Sequence, residues 1–125
     1  MRKGDIVLVR FPFSNLSGVK LRPALVLIGT DEHGEVCLAF ISSRVEQGHE
    51  FNLLLTRQKS DFRYTGLKVD SVVRLNKIVT LHRDLIAGRL GRLSAPLIGI
   101  LDQKLPRIFN IKSQDRNTKA KYFVR

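Results

Sequence analysis

The sequence predicts a mainly β fold, a small barrel or sandwich carrying one C-terminal helix. Three observations point there: short apolar runs of nearly even spacing, turn residues between them, and a single stretch of helical periodicity near the end. The runs are Ile6–Phe11, Ala24–Ile28, Val36–Ile41, Phe51–Leu55 and Ser71–Leu75, each short and rich in Val, Ile, Leu or Phe. Their almost unbroken apolar character implies strands covered on both faces. Asp31-Glu32-His33-Gly34 reads as a hairpin turn, with Gly34 free to take positive φ.

The one credible helix follows Ser94. Ser94 suits an N-cap, and Pro96 falls in the first turn, where its missing N–H costs little. Leu97, Leu101 and Leu105 with Ile98 and Ile108 form one apolar stripe. Pro106 is expected to kink or end this helix near Lys104 or Leu105.

Two segments read as loops. The first is Pro12-Phe13-Ser14-Asn15-Leu16-Ser17-Gly18-Val19-Lys20-Leu21, longer than a tight hairpin needs. The second, Gln58–Lys68, interleaves Phe62 and Tyr64 with Lys59 and Arg63; its aromatic rings suit base stacking or a lid over the barrel end. Residues 1–112 read as one domain. Residues 113–125 read as a basic tail, with Arg116, Lys119, Lys121 and Arg125 against Asp115. That tail suits an arm on RNA as well as a segment docked by Tyr122 and Phe123.

Charge narrows the function. Twenty-two Lys and Arg against 11 Asp and Glu give +11 at neutral pH. Such a field attracts polyanions and is the electrostatic footprint of nucleic-acid binding, without separating RNA from DNA. The N-terminus has no apolar leader and no run is long enough to span a membrane, so a cytoplasmic protein is expected. Cys37, the only cysteine, reads as a buried, inert thiol in Val36–Ile41. The histidines His33, His49 and His82 form no cluster of ligand spacing, and no phosphate-cradling glycine motif or serine elbow is present, so neither metal nor cofactor is expected.

Hydroxyls and arginines at strand ends remain. RNA brings its own nucleophile, the 2′-OH. A protein that cleaves it need only align that group, stabilise the charged transition state and assist proton transfer. A guanidinium grips two phosphate oxygens, and a serine hydroxyl donates to the same group.

Gly4-Asp5-Ile6-Val7-Leu8-Val9, Phe11-Pro12-Phe13, Ser17-Gly18 and Arg22-Pro23-Ala24-Leu25-Val26-Leu27 together closely resemble the opening of PemK/MazF-like toxins. Thr65-Gly66-Leu67, Asp70-Ser71-Val72-Val73-Arg74-Leu75, Ile78 and Thr80-Leu81 form a second matching block, and Gly91-Arg92-Leu93-Ser94 a third. The resemblance spans roughly residues 3–110. It implies an SH3-like barrel with a terminal helix and a two-fold homodimer. It also implies a sequence-selective endoribonuclease leaving a 2′,3′-cyclic phosphate and a 5′-hydroxyl, blocked by a cognate antitoxin in its RNA groove.

Position by position, the family's Arg-Pro arginine is Arg22, here assigned to the phosphate and the transition-state charge. Pro23 favours an extended Arg22. The family's catalytic hydroxyl, commonly Thr, falls on Ser42. Lys20, Ser43, Arg44, Arg74, Asn76 and Lys77 are the expected RNA contacts. Many relatives carry Asp or Glu where Asn76 stands, and Asn cannot act as a base near neutral pH. His82 is a further candidate as proton shuttle.

Two other readings stand beside this one. One is a barrel that binds RNA or antitoxin without cutting, having lost activity through Asn76 and Ser42. The other is a gyrase-poisoning toxin of the CcdB type, which shares the fold but uses a C-terminal Trp; this chain has none.

Overall fold

The computed structural model describes residues 1–12, 18–45 and 50–112. Six strands are present: β1 (Asp5–Pro12), β2 (Val19–Ile28), β3 (Glu35–Ser42), β4 (Asn52–Leu55), β5 (Ser71–His82) and β6 (Ile86–Arg92). Short 3-10 turns occupy Ser60–Thr65 and Arg83–Leu85, and helix α1 spans Ala95–Ile108. The strands form one antiparallel sheet in the order β4-β5-β3-β2-β1-β6. No helix among the described residues is long and apolar enough to cross a membrane.

The expected apolar runs all become strands. The sheet buries residues on both faces, which explains their lack of alternation. Ile6, Leu25, Ala39, Ile41, Val73 and Leu75 belong to a core that packs against Leu97, Ile98, Leu105 and Ile108 of α1. Val7, Val9, Ala24, Val26, Val36 and Leu38 form the opposite core, rimmed by Phe11, Phe40 and Leu81. Cys37 is half-buried against the first core, less enclosed than its sequence suggests. The hairpin at Asp31–Gly34 forms as expected, with Gly34 at φ +79°. Asp31 Oδ1 accepts the Glu35 N–H at 2.8 Å and the His33 N–H at 2.9 Å. These amides, Glu35's foremost, hold its carboxyl below the ordinary Asp range.

Three elements differ from expectation. β2 begins at Val19, because Phe11↔Lys20 and Val9↔Arg22 pairing with β1 carries the strand into the presumed loop. β6, Ile-Ala-Gly-Arg-Leu-Gly-Arg, escapes detection because two glycines and two arginines hide any apolar pattern; its pairing with β1 imposes the strand. Helix α1 continues through Pro106 to Ile108. The bond that Pro106 forgoes would reach the carbonyl of exposed Asp102, and Phe109 N–H still donates to Leu105 O at 3.2 Å. Ser94 caps α1 as expected, accepting the Leu97 N–H. The tail, residues 113–125, and most of the long loop after Pro12 lie outside the described residues.

A buried carboxylate ties the N-terminus to β6. Asp5, only 5% exposed, accepts Arg92 Nη1 at 2.8 Å and the Arg2 N–H at 3.0 Å, with Arg89 Nε at 3.5 Å. Beside it, Gly4 N–H donates to Val26 O, and Leu93 N–H donates to Gly4 O. Four segments thus converge on two residues: the N-terminus, β2, β6 and the entry to α1.

The second closure lies where the 3-10 turn at Ser60–Thr65 crosses β6. A Cβ at Gly91 would stand 2.1 Å from Tyr64 O, and one at Gly66 2.1 Å from Leu90 O. Gly66 also has φ +74°, unfavourable for any side chain. Phe62 lies in the core beneath this turn.

Two outcomes test these closures. Asp5→Ala should cost about 2 kcal/mol or more, because it strands Arg92 and an amide; a urea midpoint like wild type would remove Asp5 from the account. Gly66→Ala should destabilise by at least ~2 kcal/mol through clash and strain. Gly88→Ala, with nothing within 4 Å of a new Cβ, should leave the melting temperature nearly unchanged.

Candidate functional site

β2 and β3 pair through Val26↔Leu38, Leu25↔Ala39 and Ala24↔Phe40, and there the ladder stops. Pro23, the next residue, has no N–H to extend it. Continuing the register by two residues sets Arg22 opposite Ser42. Alternation puts Lys20 and Arg22 on the face of Ala24 and Val26, and Ser42 on that of Leu38 and Phe40, which is the same face. Phe11 and Phe40, with ring centroids 4.8 Å apart, form an apolar floor beside them.

A cavity of about 500 Å³ opens where the two strands end. Lys20, Arg22, Ser42, Ser43 and Arg44 all line it, as does Lys68 from the segment preceding β5. Its described lining therefore holds four cations and no carboxylate. Ser42 is half-buried, and its Oγ accepts the Arg44 N–H at 3.1 Å. That bond fixes the hydroxyl oxygen and leaves its proton to donate. Such a lining suits a phosphodiester: positive charge converges on it, and hydroxyl donors stand beside the charge.

The remaining expected residues lie elsewhere. The β3–β5 register jumps from Ala39↔Ile78 to Ile41↔Val73, so Arg74, Leu75, Asn76 and Lys77 bulge opposite Phe40. Arg74 pairs with Asn52 of β4, and alternation about buried Val73 places it on the face of Ser42. Asn76 and Lys77 are exposed at the bulge. None of these three lines the cavity.

His82 does not approach Ser42. It pairs with Glu35 at the opposite end of β3, roughly 20 Å along the strand. There its Nδ1 accepts the Asp84 N–H at 3.1 Å, so a shuttle role at this cavity fails on position. His49 lies outside the described residues. Of the two loop aromatics, Phe62 is core, whereas Tyr64 is exposed with Arg63 over its ring at 4.9 Å; neither lines the cavity.

Among the charged lining residues, Lys68 is the one that sequence reasoning missed. It lies between Gly66-Leu67 and Asp70-Ser71, inside a recognisable block, but a lone lysine in a polar loop gives no sign of which surface it will meet.

Comparison with known proteins agrees with this architecture. The Mycobacterium tuberculosis toxin MazF-mt6 is 22% identical, with 87% of this chain and 99% of that one covered at a TM-score of 0.66. A MazE-MazF structure from Deinococcus radiodurans is 22% identical, covering 90% and 97% at 0.68. An endoribonuclease in complex with its cognate antitoxin, from a mycobacterial species, is 14% identical, covering 91% and 99% at 0.67. At these identities the likeness speaks for the fold. No curated protein matches closely enough to count as a relative. The family model of PemK-like, MazF-like toxins of type II toxin–antitoxin systems matches residues 2–109, nearly the whole described chain, and the protein belongs to that family.

Proposed function

We propose that this protein is a toxin endoribonuclease that cuts single-stranded messenger RNA in the cytoplasm and is held inactive by a cognate antitoxin protein. One observation carries the reading: Arg22 and Ser42, just past the point where the β2–β3 ladder ends, line one cavity whose described lining holds four cations and no carboxylate. Similar folds in an endoribonuclease bound to its antitoxin and in a MazE-MazF complex support it, and a homodimer accords with it.

The chemistry requires little from the protein. The substrate's 2′-oxygen forms a bond to phosphorus, the bond to the 5′-oxygen breaks, and the 5′-oxygen takes up a proton as the 2′-hydroxyl loses one. Products are a 2′,3′-cyclic phosphate and a 5′-hydroxyl. Arg22 supplies bidentate charge to the phosphate as negative charge builds, so no metal ion is needed for that task. Ser42 donates its hydroxyl proton to a phosphate oxygen while the Arg44 N–H keeps Oγ in place. Lys20, Ser43 and Arg44 hold the strand. Arg74, Asn76 and Lys77 extend the contact surface beyond the cavity, with Asn76 hydrogen-bonding a base rather than moving a proton.

Arg22→Ala should lower cleavage about 10²-fold or more, the scale for removing a transition-state donor; near-wild-type rates would dismiss its assignment. An RNA with one 2′-deoxy nucleotide at the cut site should bind yet resist cleavage, as end-group analysis in EDTA will read. Wild type that binds RNA but never cuts it in EDTA would support the non-catalytic barrel, the reading that Asn76 favours.

A further inference from the structure

The segment joining the 3-10 turn to β5 is pinned at both ends. At its start, Thr65 is fully buried; its Oγ1 donates to Phe62 O at 2.7 Å and accepts the Leu67 N–H at 3.1 Å. Gly66 rests against the Leu90 carbonyl of β6. At its end, Asp70 Oδ1 accepts the Arg57 N–H at 2.7 Å, and Ser71 Oγ donates to Val69 O at 2.9 Å. Between these anchors stand Lys68 and Val69, both exposed and both lining the cavity of Arg22 and Ser42. Lys68 has no hydrogen-bond or ion-pair partner among the described residues. Val69, 50% exposed, offers an apolar surface beside it.

A loop anchored at both ends, holding over a cationic cavity an ammonium with no partner among the described residues, suits an anionic ligand, since the anchors order the loop before the ligand arrives. The cavity, at about 500 Å³, falls within the ~300–1,000 Å³ range that holds whole small molecules and is too large for one phosphate alone. Resting on the RNA reading above, we infer that the Lys68–Val69 loop is the second wall of the RNA site. Lys68 binds a phosphate of the same strand other than the scissile one, and Val69 packs on the neighbouring ribose or base. An ammonium on a flexible stem acts as a point charge, suited to holding a strand rather than gripping a transition state. Its contribution is therefore to affinity and to placement of the strand, with the bond-breaking step left to Arg22 and Ser42.

The test titrates wild type, Lys68→Ala and Lys68→Arg with a uniformly 2′-O-methylated single-stranded RNA, which cannot be cut, across a salt series. The same proteins are then assayed for kcat and KM on unmodified RNA. Lys68→Ala should bind about tenfold more weakly, the scale of one charge-assisted hydrogen bond. Its log–log salt slope should be shallower by ~0.7, because one phosphate fewer is neutralised. KM should rise with kcat and melting temperature unchanged, and Lys68→Arg should restore affinity. Wild-type affinity and slope in Lys68→Ala would overturn the assignment while leaving the RNA reading intact. Weaker binding that arginine does not restore, or that comes with a lower melting temperature, would assign Lys68 to the loop's own structure and also overturn it. A wild-type protein without affinity for the RNA would overturn both readings together.

Discussion

The carboxylate of Asp5 is the contact on which the rest of the molecule depends. It lies almost wholly out of water, and its cost of burial is offset by Arg92, Arg89 and the Arg2 amide. Because Asp5 pairs with Arg92 in register, it sets where β6 lies on β1. β1 in turn sets β2, through Val9↔Arg22 and its neighbours. The position of the candidate catalytic arginine is therefore inherited from an ion pair at the start of β1.

The cavity results from a defect in the sheet. Pro23 cannot donate to a ladder, and β2 and β3 part company beside it. Elsewhere such a gap would be filled by apolar side chains. Here lysines, arginines and serines join the apolar residues in its wall, and the repulsion among the four cations would be relieved by an anion. The same proline that opens the gap also holds Arg22 in an extended backbone, so one residue serves both the shape of the site and the direction of its principal charge.

Ser94 shows how fold and site are coupled through the far side of the sheet. Its hydroxyl caps α1 at the Leu97 amide and donates to Asp61 in the 3-10 turn. That turn leads directly to Gly66, the loop bearing Lys68, and β5. The helix that closes the first core thus also braces the segment forming one wall of the cavity.

The sequence by itself determined the strand-forming runs, the helix with its serine cap and apolar stripe, the cationic balance and the pairing of Arg22 with Pro23. These rest on local properties: side-chain periodicity, capping chemistry and the restricted backbone before proline. It also marked Ser42 as a strand-end hydroxyl, since Phe40-Ile41-Ser42-Ser43 passes from apolar to polar there. Only the tertiary structure decided that Ile86–Arg92 is a strand, that His82 stands at the wrong end of β3, that Phe62 is core, and that Lys68 joins the cavity. Each of those outcomes depends on which distant segment lies alongside, and in a sheet register is set by partners far apart in the chain. Gly66 and Gly91 illustrate the difference: the residue types are plain in the sequence, but the backbone each must admit at 2.1 Å belongs to another part of the chain.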